Sequence, residues 1–354
     1  MKVREAALAH RRMWIATPNM NWMGLRQKHP AFADQIRRAD FSTADGNPLV
    51  KLARRAGAAL PQRVAGSDLF DRVGQDVSGR PLSVFFFGGR KGSAEEAANV
   101  LAEKYPGYVS AGALNPGFGK LEELSRPSII EQLNMADPDI LVVSLGALRT
   151  QAWIDMNRDR LTARILAPFG AVVDFVSGNV ARAPAPLRRV GLEFAWRITQ
   201  DIKLFNRYLS DAGQLPSLAK SAGHSARALA QVSKRDVAAP QARFSQDRLT
   251  LFGDHTSAAL EEARAALTEY DSQTGNMTVE IRGDCRGDLR LIGFLLIAQQ
   301  RAFDAGRQFV VLSNDPGWRA LLTLNGLNLS SAEIRSEYTT VSPQQYRDAT
   351  ASRA

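Results

Sequence analysis

Over the first half of the chain, short apolar runs alternate with amphipathic stretches. The runs Met13–Thr17, Leu82–Phe87, Ile140–Leu145 and Ala171–Phe175 have the length and the β-branched or aromatic content of strands. Between them, Ala94–Tyr105 and Thr150–Arg160 carry apolar residues at helical spacing. Strand and helix in alternation predict a mainly parallel sheet with helices on both faces, a Rossmann-like α/β fold. The run Ser83-Val84-Phe85-Phe86-Phe87 is apolar at successive positions, as a central parallel strand buried on both sides should be.

The pattern then changes twice. From Leu187 to Leu209, the residues Leu187, Val190, Phe194, Ile198, Phe205 and Leu209 fall near helical spacing. Arg188, Arg189, Arg197, Lys203 and Arg207 outnumber Glu193 and Asp201, so this is a basic amphipathic helix, broken at most once. Residues 216–245 are rich in Ala and Ser, poor in large apolar side chains and positively charged; they read as a linker, with at most a transient helix. Strands are expected again at Arg248–Phe252, Met277–Arg282 and Gln308–Ser313, with helices at Ser257–Leu267, Leu291–Ala305 and Trp318–Leu324. That predicts a second, smaller α/β domain over 246–354, after a first over 1–215.

Composition narrows the partners without choosing one. The 354 residues suit two domains, and the formal net charge of +9 favours an anionic partner: nucleic acid, nucleotide or membrane surface. No basic patch is interleaved with aromatic residues, so nucleic acid is not an expected partner. The single cysteine, Cys285, excludes an intrachain disulfide and fits a reducing compartment. The opening residues MKVREAALAHRRMW lack a signal-peptide core. The longest apolar runs, near 140–148 and 291–298, fall short of the roughly 20 residues of a spanning helix, so membrane contact is expected to be peripheral.

Five loops carry candidate chemistry, each with a plain structural alternative. Thr17-Pro18-Asn19 follows the first strand, where open α/β sheets bind ligands; its alternative is a turn or helix N-cap. Asp45 precedes Gly46: it is either a turn residue or a carboxylate available as a general base. In Arg63-Val64-Ala65-Gly66-Ser67-Asp68, backbone N–H groups and Arg63 suit an anion, while Asp68 alternatively serves the helix that follows. Gly88 and Gly89 lie between a strand and a helix with an S-x-x-E capping-box sequence at Ser93 and Glu96, matching either a nucleotide approach or a tight turn. The fifth loop runs from Gly178 to Pro184 and contains Arg182. The histidines at 10, 29, 224 and 255 are scattered, and no metal-ligand spacing is present.

Taken in order, these pieces resemble one family. Thr-Pro-Asn, Asp-Gly, Arg-Val-x-Gly-Ser-Asp-Leu, Phe-Gly-Gly-x-x-Gly, Leu-Gly-Ala, Asp-Phe-x-x-Gly-x-x-x-Arg-Ala-Pro, Gly-Leu-Glu-Phe and Arg-Tyr-Leu, across residues 13–209, resemble the WecG/TagA/CpsF glycosyltransferases. The resemblance implies an inverting enzyme that moves a sugar from a UDP donor to an undecaprenyl-diphosphate-linked acceptor, generally without a metal or other cofactor. Such enzymes build teichoic acids, common antigen and exopolysaccharides. It implies Asp45 as the general base, Thr17 and Asn19 lining the cleft, and Arg63 with Gly66, Ser67 and Asp68 holding the donor. It leaves Arg182, Arg197 and Arg207 as the cations for the departing UDP, the last two on an appendage over the active site. The same basic appendage would hold the enzyme on the anionic inner face of the plasma membrane.

Two departures stand out. Where the family usually reads Gly-x-Pro-Lys-Gln-Glu, this chain has Gly146-Ala147-Leu148-Arg149-Thr150-Gln151, so the basic residue persists as Arg149 while Thr150 and Gln151 replace Gln and Glu. A Glu-Pro near the domain's end is Asp201-Ile202. A changed donor, or a catalytically impaired protein that binds nucleotide-sugar or lipid, are the readings this opens. Residues 246–345 resemble a STAS domain, the fold of anti-sigma-factor antagonists, which implies a regulatory protein partner. Asp288-Leu289-Arg290-Leu291 stands where that family has Asp-Ser-Ser-Gly, so no phosphorylation switch is expected there.

Overall fold

The computed structural model describes residues 2–184, 187, 193–200, 202–245, 248–256, 276–327 and 329. The chain divides into two compact units, Met1–Ala226 and Arg227–Ala354.

The first unit opens with α1 (Lys2–Leu8), β1 (Met13–Ala16), α2 (Met20–Lys28), α3 (Pro30–Arg37), β2 (Phe41–Ser42), α4 (Asn47–Arg55) and α5 (Gly66–Gly74). Then come β3 (Leu82–Gly88), α6 (Ser93–Lys104), β4 (Tyr108–Leu114), α7 (Pro127–Met135), β5 (Ile140–Ser144), α8 (Ala147–Asn157), β6 (Ile165–Ala167) and α9 (Gly170–Ser177). After them follow α10 (Glu193–Gln200), α11 (Lys203–Gly213) and α12 (Leu215–Ser233), the last of which runs past the first unit's end at Ala226. The strands form a six-stranded sheet in the order β2-β1-β6-β5-β3-β4, every neighbouring pair parallel.

Alternation along the strands explains the layers. Val84 and Phe86 of β3, with Val142 of β5, join a core under α5, α6 and α9 that includes Phe70, Leu101 and Val173. Phe85 and Phe87, with Leu141 and Val143, join the opposite core with Ile130 of α7 and Trp153 of α8. Successive side chains point to opposite faces, so a strand apolar at every position needs helices on both sides. Trp153 is fully buried, and its indole N–H donates to the Leu124 carbonyl at 2.9 Å, so burial leaves no polar atom of that ring unpaired.

Several expectations need correction. The run Ala171–Phe175 is not a strand; it lies within α9, and β6 comes earlier, at Ile165–Ala167. Val172, Val173 and Val176 are buried on one helical face, a spacing that a short apolar run does not distinguish from a strand. Residues 216–245 are not a linker: 215–233 form α12, and 241–245 form β7. Ala-rich sequence is a strong helix former, and Ala228, Leu229 and Val232 pack in the second unit's core. The capping box at Ser93 does not form, because Ser93 is already helical and Gly92, in a left-handed conformation, is the N-cap. The Ser93 hydroxyl instead meets Asp174 at 3.2 Å and Asn179 at 2.9 Å, tying α6 to α9 and the loop after it.

The basic amphipathic stretch is two helices, α10 and α11, with Ile202 between them. Residues 188–192 and Asp201 lie outside the described residues, as do the side chains of Arg197, Lys203 and Arg207.

The second unit is a mixed sheet in the order β10-β9-β8-β7, built from Gln241–Ser245 (β7), Arg248–His255 (β8), Met277–Gly287 (β9) and Phe309–Leu312 (β10). Only the β7–β8 pair is antiparallel among the described strands. Helices α13 (Leu289–Asp304) and α14 (Pro316–Leu324) cover it, and Trp318 is fully buried with its indole N–H on the Cys285 carbonyl at 2.9 Å. Asp288 caps α13 by accepting from the Arg290 amide at 2.8 Å. The helix expected at Ser257–Leu267 lies outside the described residues.

Candidate active site

The carboxyl ends of the parallel strands open into one cavity of about 480 Å³ within the first unit. Thr17 and Asn19 reach it from beyond β1, Asp45 from beyond β2, Gly146 from beyond β5 and Phe169 from beyond β6. This edge is where open α/β sheets place their ligands, because loops diverge there and leave a crevice.

Local structure fixes each side chain. Asn19 caps α2, its Oδ1 accepting from the Trp22 amide at 3.1 Å, and it also lines the cavity. The Asp45 amide donates to the Pro18 carbonyl at 2.8 Å, which ties the loop after β2 to the loop after β1. Gly46 follows with φ of 118°, a left-handed value that suits glycine and turns the chain into α4. The Val64 amide donates to the Ala44 carbonyl at 3.0 Å and brings Arg63 alongside.

Charge concentrates on this wall. Arg63 Nη1 lies 3.5 Å from Asp45 Oδ1, and its Nη2 lies 2.5 Å from Asp68 Oδ2. Arg182 continues the chain, pairing with both Asp68 and Asp71 and donating to the Ser67 hydroxyl at 3.0 Å. Two guanidiniums thus interleave with three carboxylates along the start of α5. Asp45, Arg63, Gly66 and Ser67 line the cavity, whereas Asp68 and Arg182 stand behind them. A Cβ on Gly66 would come within 2.7 Å of the Phe169 ring, so glycine is what lets the start of α5 approach that aromatic wall.

A second part of the lining is the first turns of α8. Gly146, Ala147, Thr150 and Gln151 line it. Thr150 Oγ1 accepts from the Leu145 amide at 2.9 Å. Arg149 turns away and donates to the Gly119 carbonyl. Gln151 is fully buried, and neither of its carboxamide atoms has a hydrogen-bond partner. Leaving a buried amide unpaired costs about 1–3 kcal/mol by mutational measures.

Gly88 and Gly89 lie away from this cavity. Gly88 has φ of 91°, and a Cβ there would stand 2.4 Å from the Ser144 carbonyl oxygen; Gly89 has φ of 93° and packs on Val173. Close packing between β3, β5 and α9 is one physical reason for glycine at both positions.

Other lining residues carried weaker signals in the sequence. Trp22 and Phe169 read as ordinary apolar positions. Tyr208 and Asp211 reach the cavity from α11, and Tyr208 sits in the Arg-Tyr-Leu triplet noted above. Gln214 pins this region down: its side chain packs so closely on Gly24 of α2 that a Cβ there would meet it at 2.5 Å.

Comparison with known proteins agrees with this architecture. The profile described as "Glycosyl transferase WecG/TagA/CpsF family" matches residues 1–225. Among similar proteins are N-acetylglucosaminyldiphosphoundecaprenol N-acetyl-beta-D-mannosaminyltransferases from Staphylococcus aureus strains MRSA252, MW2 and NCTC 8325 / PS 47. Each is 24% identical over 198 residues, covering 56% of this chain and 76% of the relative.

Proposed function

The chain belongs to the WecG/TagA/CpsF glycosyltransferase family, and from that premise we propose that it moves a sugar, with inversion, from a UDP-sugar to an undecaprenyl-diphosphate-linked acceptor. The product would enter exopolysaccharide or another cell-surface glycan. The observation that carries this reading is Asp45, whose carboxylate lines the same cavity as Thr17, Asn19 and Arg63.

In this mechanism Asp45 takes the proton of the acceptor hydroxyl. The freed oxygen attacks the anomeric carbon from the face opposite the diphosphate, the new C–O bond forms, and the bond to the diphosphate oxygen breaks with its electron pair leaving on UDP. Arg63 orients Asp45, and Ser67 with the amides of the first turn of α5 receives the diphosphate. Arg182 holds Ser67 and Asp68 in place and, with Arg197 and Arg207, supplies positive charge for the leaving group. Thr17 and Asn19 position the reacting groups, and no metal is required by this scheme.

The acceptor is lipid-borne, so the enzyme works at the cytoplasmic face of the plasma membrane as a peripheral protein. Among the described residues no helix is long and apolar enough to cross a membrane. Ile202, Phe205 and Leu209, exposed between and along α10 and α11, supply an apolar face for the interface, and the neighbouring Lys and Arg residues match anionic head groups. The second unit serves as a STAS-like module that docks a regulatory protein, and nucleic acid is not a partner.

A second reading, a nucleotide-sugar-binding protein without turnover, is favoured by the residues at 150 and 151: Thr150 and Gln151 line the cavity where the resemblance places Gln and Glu, so this wall carries no carboxylate. The experiment is UDP release from a panel of UDP-sugars with a polyprenyl-diphosphate-N-acetylglucosamine acceptor. Turnover with one donor supports the transferase. Tight donor binding with no turnover for any donor supports the binding protein instead.

A further inference from the structure

Gln151 is a buried amide that the fold itself does not use. It lies in the second turn of α8, is 0% exposed, lines the cavity, and has neither Oε1 nor Nε2 hydrogen-bonded. Buried polar atoms are nearly always partnered, so an unspent carboxamide on a cavity wall is a site prepared for a ligand. Of its two neighbours, Thr150 accepts from the Leu145 amide and Arg149 donates to the Gly119 carbonyl.

The chemistry of the two walls separates what each can hold. Asp45 and Arg63 make one wall charged, and Arg63 suits a diphosphate. The α8 wall brings no charged side chain to the cavity. A carboxamide offers one acceptor and one double donor in a single plane. That matches neighbouring hydroxyls, or a hydroxyl beside an acetamido group, on a pyranose ring.

We infer that Gln151 is a specificity-determining residue that hydrogen-bonds the sugar ring of the nucleotide-sugar donor, not its nucleotide. The inference rests on the reading of this cavity as a UDP-sugar site.

The test uses the full chain and calorimetric titration with UDP, UDP-N-acetylmannosamine, UDP-N-acetylglucosamine and UDP-glucose. The wild type binds its preferred UDP-sugar more tightly than UDP. Gln151→Met keeps the length of the side chain and removes its polar atoms. It weakens binding of that UDP-sugar about tenfold, the value of a lost hydrogen bond, and leaves UDP affinity unchanged. Its melting temperature without ligand equals or exceeds that of the wild type, because the unpaired amide is gone. Gln151→Ala gives the same affinity pattern if the Met variant does not fold. Equal losses for UDP and UDP-sugar assign Gln151 to the nucleotide and overturn the inference. Unchanged affinities, or losses that track a lowered melting temperature, overturn it as well. A wild type that binds neither UDP nor any of the three UDP-sugars removes the donor reading itself, a result distinct from any variant's failure.

Discussion

Arg63 approaches Asp45 to 3.5 Å while its other nitrogen pairs with Asp68 at 2.5 Å, so one guanidinium sets the position of the proposed base from the start of α5. Asp68 is also held by Arg182, which keeps this end of α5 tied down when Arg63 is removed. Arg63→Ala therefore folds and loses turnover by about tenfold or more, since misplacing a reacting group by an ångström is costly. Arg63→Lys recovers little, because a single ammonium does not span two carboxylates as a planar fork does. UDP release together with circular dichroism checks both, and turnover within twofold of wild type for Arg63→Ala would remove this residue from the mechanism.

Asp45→Asn keeps the size of the side chain and removes its basicity. General-base catalysis contributes about 10²–10⁴-fold, so transfer falls by that factor. Donor affinity stays near the wild-type value, because the proposed mechanism puts the donor's phosphates on Ser67 and the first-turn amides of α5 rather than on Asp45. Titration of UDP into the variant, beside its turnover, separates loss of chemistry from loss of binding.

Much of this site was legible because its residues sit in short motifs just after strands, where chain order and pattern coincide. Thr17, Asn19, Asp45, Arg63, Gly66, Ser67, Thr150 and Gln151 all line the cavity. The motif at Gly88 and Gly89 is outside this cavity, and in sequence glycine required by close packing looks the same as glycine required by a ligand. The strand expected at Ala171–Phe175 failed for a related reason: the adjacent buried residues Val172 and Val173 suit a strand covered on both faces as well as one helical face. Helix α12 was hidden by composition, since alanines bury little surface each yet pack closely. The unpaired state of Gln151 depends on the folds of its neighbours, which no local pattern encodes.

Gly88 and Gly92 separate two costs of adding a Cβ. Both have left-handed φ values, 91° and 80°, but a Cβ on Gly88 meets the Ser144 carbonyl at 2.4 Å, whereas one on Gly92 meets nothing within 4 Å. Gly92→Ala bears backbone strain alone, about 1–2 kcal/mol. Gly88→Ala adds a clash between β3 and β5 that no side-chain rotation relieves, and it yields little folded protein. Denaturant midpoints of the two variants measure the difference, and equal midpoints would contradict the packing account of Gly88.

Asp139 anchors the end of the sheet opposite the cavity. It is 1% exposed and stands just before β5, with its carboxylate bound by Arg80 at 2.5 and 2.7 Å, by the Ser83 amide at 2.9 Å and by the Ser83 hydroxyl at 3.1 Å. Burial pushes its pKa up, but the hydrogen bonds from Arg80 and Ser83 and the charge of Arg80 outweigh burial and hold it below the usual carboxylate range. A depressed folded pKa means stability that is fully present above the unfolded value of about 3.9 and lost as pH falls through the folded value. Asp139→Asn thus destabilises the protein at neutral pH by about 2 kcal/mol, the scale of weakened charge-assisted hydrogen bonds, because the Arg80 left behind is half-exposed and not a buried charge. For a unit of this size that lowers the melting temperature by about 4–8 °C. The variant also loses less further stability than wild type between neutral pH and pH 2, since the titrating group is gone. Turnover per folded molecule is unchanged at neutral pH, because the cavity lies at the other end of the strands. Thermal melts across that pH range, with UDP release at pH 7, test all three expectations, and parallel acid limbs for the two proteins would refute the role of Asp139.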